Sequence, residues 1–156
     1  MTTNNDNTII AFLLALQDLK TSLSAQEKRN LQDIAKQLDT QPKAWDKHIK
    51  ERLLDIIAAN PELSQYYKFY QSQLENTQEV PEDLLPTEAE VNRLIYREEV
   101  AITRGFKPKS EATGYETQLN NVVVIIGNSE KPEETVKQAT FLENLKQFLS
   151  QSNLSN

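Results

Sequence analysis

Three capping boxes constrain how this chain can fold. In each, a serine or threonine stands three residues before a glutamate: Ser24-Ala25-Gln26-Glu27, Thr87-Glu88-Ala89-Glu90 and Thr113-Gly114-Tyr115-Glu116. The cap hydroxyl accepts from the glutamate's backbone N–H while the carboxylate accepts from the cap's own N–H, so two unpaired donors at a helix start are satisfied together. An apolar stripe at 3-and-4 spacing follows each box: Leu31, Ile34, Ala35 and Leu38; Val91, Leu94 and Ile95; Leu119, Val122, Val123 and Ile126. With only three glycines, the tight turns of an all-β fold are mostly missing. The hydrophobic fraction, 38%, suits helical layers with wide wet faces better than a thick sandwich core. The expected fold is an all-α, single-domain bundle of about six or seven helices.

Along the chain, residues 1–7 read as disordered, residues 8–150 as one helical domain and residues 151–156 as a frayed tail. Asn7 can cap a first helix to about Ser22, with Ile9, Ile10, Leu13, Leu14 and Leu16 covering much of its circumference. A helix so apolar belongs at the centre of a bundle or against a partner. The Ser24 helix stops near Asp39–Gln41, and Pro42 opens a third helix that buries Trp45, Ile49, Leu53 and Ile56. Asp46–Lys50 and Lys47–Glu51 are opposite-charge pairs on its solvated face. Asn60 caps a fourth helix to about Glu75, with Leu63, Tyr66, Tyr67, Tyr70 and Leu74 in its stripe and Phe69 off it.

Residues 76–86, with two prolines, form a linker between sub-lobes 8–76 and 87–150, pinned by Leu84 and Leu85. Gly105 is expected to stop the fifth helix, and residues 104–114 form a loop. The ambiguous segment is Tyr115–Ile126. Its β-branched run Val122–Ile126 favours a strand, which would pair with residues 100–106 in a small β-hairpin near residues 100–126. The capping box and stripe favour a helix ended by Gly127, and helix is the reading adopted. A last helix, about Lys131–Ser150, carries Val136, Leu142, Leu145 and Leu149 with a Glu133–Lys137 surface pair.

The residue inventory excludes much chemistry. His48 is the only histidine, so di-iron bundles of the Glu-x-x-His type and zincin helices are ruled out. No cysteine is present, which removes disulfides, thiolate metal sites and cysteine nucleophiles and fits a reducing compartment. Phosphate-cradling glycine loops and the G-x-S-x-G nucleophile turn are missing too. Glu98–Glu99 and Glu133–Glu134 read as plain surface charge, and His48 with Glu51 and Arg52 as a charged exposed face. No catalytic, cofactor-binding or metal-ligating set emerges, and a non-enzyme without cofactors is expected. The net charge of −6 argues against non-selective binding to nucleic acid or anionic membranes. The first residues, MTTNNDNT, lack the basic character of a signal peptide, and Ile9–Leu16 is far too short to span a bilayer. A cytoplasmic protein is the expectation.

The run from Ile34 to Ile49 resembles the helix-turn-helix of response-regulator output and sigma-factor domains. Ile34, Ala35 and Leu38 stand on the supporting helix, and Pro42, Lys43 and His48 fall where that family often has the same residue types. The chain departs from the pattern at Asp39, Thr40, Gln41 and Trp45. The resemblance implies a DNA-reading helix in which Lys43, Lys47 and Lys50 meet the duplex. The leading reading is different: a helical adaptor or regulator that binds a partner protein or a second copy of itself, with Phe12, Phe69 and Tyr70 as contact residues.

Overall fold

The apolar segment Ile9–Leu16 becomes the axis of the molecule. The computed structural model describes residues 8–41, 48–76, 84–97 and 115–154. These comprise eight α-helices: α1 Thr8–Asp18, α2 Ala25–Thr40, α3 Lys50–Ala59, α4 Pro61–Asn76, α5 Glu88–Arg97, α6 Tyr115–Asn128, α7 Pro132–Thr135 and α8 Thr140–Leu154. A 3-10 turn, Val136–Gln138, joins the last two, and no strand occurs among the described residues. The all-α bundle read from the caps and stripes is the architecture observed.

Every residue of α1 from Thr8 to Gln17 is buried. The helix lies against α4, α6, α7, the 3-10 turn and α8. Full burial of one large aliphatic side chain stabilises a fold by roughly 1.5–3 kcal/mol, so α1 carries a large share of the core. The other extensive pairing is α2 on α6, and α3 closes against α2 and α4 while α5 lies on α6. One contiguous buried cluster draws side chains from α1 to α6, the 3-10 turn and α8.

The capping chemistry is realised at three helix starts. Ser24 accepts from the Glu27 N–H at 3.1 Å, and Glu27 Oε1 accepts from the Ser24 N–H at 2.8 Å. Thr87 and Glu90 make the same reciprocal pair, both bonds at 3.2 Å. Asn60 caps α4 by accepting from the Leu63 N–H at 3.0 Å, and its amide donates to Glu27 Oε2 at 3.1 Å. One asparagine thereby ties the start of α4 to the start of α2. Glu62, one residue into α4, accepts from the Lys20 N–H at 2.9 Å and from the Thr21 hydroxyl at 2.8 Å. That second tie draws the chain away at the end of α1, which stops at Asp18 rather than continuing to Ser22.

The structure corrects three other boundaries. Gly127 does not end α6 but lies inside its last turn, where the close passage of α2 leaves no room for a side chain. A Cβ there would lie 2.7 Å from the Ala35 Cβ and 3.1 Å from the Leu31 carbonyl oxygen. The last helix is broken at Ala139, whose backbone is extended and whose N–H donates to the Val136 carbonyl at 3.1 Å. Helix α8 then continues to Leu154, past Ser150 and into the expected tail. His48 and Ile49 form a wider π-type turn that runs straight into α3, and the expected helix start at Pro42 lies outside the described residues. Residues 115–126 are helical, so they are no part of a hairpin. Its expected partner, residues 100–106, lies outside the described residues, as do residues 1–7, Trp45, Gly105, the loop to residue 114 and most of the linker. At the linker's end Leu85 is buried and Leu84 packs partly against the core.

Candidate functional site

Phe69 is 55% exposed, the one large hydrophobic side chain so placed among the described residues. It sits mid-way along the 16-residue helix α4, whose buried stripe is Leu63, Tyr67, Tyr70 and Leu74. Its register, two residues from Tyr67, turns it outward, as the sequence pattern predicts. The Phe69 ring meets Tyr70 edge-on, with centroids 5.1 Å apart and planes at 73°. Half-buried Tyr66 lies one turn earlier on the same helix.

Tyr70 is held from the other side. Its hydroxyl donates to Asp18 Oδ2, and the Lys146 ammonium donates to Asp18 Oδ1, so α4, the end of α1 and α8 meet at one carboxylate. Burial, reinforced by the Asp18 hydrogen bond and charge, holds the phenol in its neutral form well above the ordinary value of 10. This triad is a clasp rather than a proton-transfer site at neutral pH, since the phenol does not ionise there. Its consequence for the surface is that the ring beneath Phe69 is fixed.

The contact residues expected from sequence therefore divide. Phe12 is 1% exposed and belongs to the core, because α1 is surrounded by helices on every side. Tyr70 is also buried, and its ring is in edge-on contact with Phe69. Only Phe69 of the three faces outward. Of the proposed DNA contacts, Lys43 and Lys47 lie outside the described residues, and Lys50 is half-buried at the first position of α3. His48, Glu51 and Arg52 are all exposed, in keeping with a solvated face.

Two polar residues were not anticipated. Glu133, expected on the surface with Lys137, is 4% exposed, because the single turn of α7 is pressed onto α1 and α6. Gln17 is buried on α1 and donates to the Val136 carbonyl at 3.4 Å. Neither Glu133 Oε1 nor Gln17 Oε1 has a hydrogen-bond partner among the described residues. No sequence signal marks Glu133, since its i, i+4 spacing from Lys137 reads as a surface pair. No group of three metal-ligating side chains occurs among the described residues. A notch bounded by Glu90, Arg93, Val122 and Phe141 has a volume of about 10 Å³, room for about one water and not for a metabolite. No described helix is long and apolar enough to cross a membrane. Compared with family models, curated proteins and solved structures, the chain matches none of them.

Proposed function

We propose that this protein is a cytoplasmic, non-enzymatic helical interaction module, and that it binds an amphipathic helix of a partner protein on the outer face of α4. The observation that carries this reading is Phe69, an exposed aromatic on a rigid helix, backed by a ring whose hydroxyl is clasped to Asp18. A preformed aromatic anchor loses little conformational entropy on binding, which is why such side chains dominate helix-mediated contacts. The residues one turn to either side, Gln65, Tyr66, Ser72 and Gln73, carry no charge, so the partner needs an apolar anchor and neutral hydrogen-bonding groups. The apolar surplus on α1 lends no support, since it is consumed inside the bundle.

The test compares wild type with Phe69→Glu by cross-linking and affinity recovery from source lysate, with light scattering to report self-association. A protein recovered by wild type and lost with Phe69→Glu, while circular dichroism stays unchanged, is the expected result. Equal recovery by both, or none by either, removes the reading.

A further inference from the structure

Helix α6 holds a segment whose local preference is for another structure. Residues 117–129 contain no charged side chain, and Glu116 and Glu130 bound them. At the centre stand five consecutive β-branched residues, Val122–Ile126. Such side chains lose rotamer freedom in a helix and pack well on a pleated surface. An uncharged, proline-free window of this composition is the signature of segments that stack into cross-β assemblies.

In the folded chain all five are buried, between 0% and 3% exposed. Their successive positions sweep through more than a full turn of helix. So α6 is covered all round, by α2, α5, α1 and α7, and its helical form is imposed by these neighbours. The most extensive cover is α2, whose approach at Gly127 leaves no slack. A contact so tight is kept or lost as a unit, because a gap of even an ångström forfeits much of the packing energy.

We infer that residues 117–129 are a latent self-association site: once α6 is released from α2, this segment pairs as a β-strand with the same segment of a second copy. Stacked in register, Asn120, Asn121 and Asn128 form side-chain amide ladders, and the Val122–Ile126 faces close into a dry seam. The inference uses neither Phe69 nor the partner reading above.

The test uses the full chain, as wild type and as the double variant Val123→Lys with Ile125→Lys. Each is held at its own thermal midpoint, or at the wild-type midpoint if the variant is already unfolded, so that opening is at least as frequent in the variant. Wild type is expected to form fibres with reflections at ~4.7 Å and ~10 Å and with amide protection centred on residues 117–129. The variant is expected to lose at least about tenfold of the thioflavin signal, because stacked lysines repel. Cross-β fibres from both proteins, from neither, or with protection elsewhere in the chain would overturn the inference.

Discussion

Tyr70 keeps its ring in the core and its hydroxyl on Asp18, and that arrangement has a pH signature. Burial first, then the Asp18 bond, raises its pKa above the ordinary value of 10. The folded state therefore favours the proton. The stability Tyr70 contributes is complete below pH 10 and is lost as pH rises through the folded value. Tyr70→Phe should lower stability at neutral pH by about 1 kcal/mol. Urea unfolding should show the gap to wild type closing at alkaline pH. Glu62 has the opposite sign. The Lys20 N–H chiefly, and the Thr21 hydroxyl next, hold its carboxylate below the ordinary 4.5. Its contribution is present above that value and is lost as pH falls through the lowered one. Glu62→Gln should accordingly differ from wild type at pH 7 and converge with it on acidification, as read by thermal melts across the acid limb.

At the level of elements, α2 and α6 are joined where two small residues meet. Alanine has a higher helix propensity than glycine by about 1 kcal/mol, which alone would make Gly127→Ala stabilising. The Ala35 Cβ and the Leu31 carbonyl leave no room for the added methyl, and overpacking of this kind costs about 1–3 kcal/mol. The variant should melt below wild type, and adding Ala35→Gly should restore part of the loss in a double-mutant cycle. The same pairing explains a helix that local preference disfavours. Burial of Val122–Ile126 outweighs the small per-residue penalty of β-branched side chains. The chain's own caps are also visible at this scale: Ser24 with Glu27, Thr87 with Glu90, and Asn60 each start the helix that their spacing predicts.

Across the whole molecule, α1 packs against α4, α6, α7, the 3-10 turn and α8. Because its side chains form the centre of one contiguous cluster, damage there should be felt by the bundle as a whole. Leu14→Ala is expected to cost roughly 2–5 kcal/mol. Far-UV and near-UV circular dichroism should still report one coincident unfolding transition. Separate transitions for residues 8–76 and 87–154 would instead show two units sharing no core.

What the sequence determined alone is whatever depends on neighbours within a turn or two. The Ser24 and Thr87 capping boxes, the stripe Leu31-Ile34-Ala35-Leu38 and the outward register of Phe69 are all local facts, legible because helical periodicity and cap chemistry act over three or four residues. Only tertiary structure decided that Phe12 faces inward, that Gly127 continues a helix, that Ala139 breaks one and that Glu133 is buried. Each depends on which helix passes alongside, and the closeness of that passage arises from the summed burial of residues far apart in the chain, which no window of sequence contains.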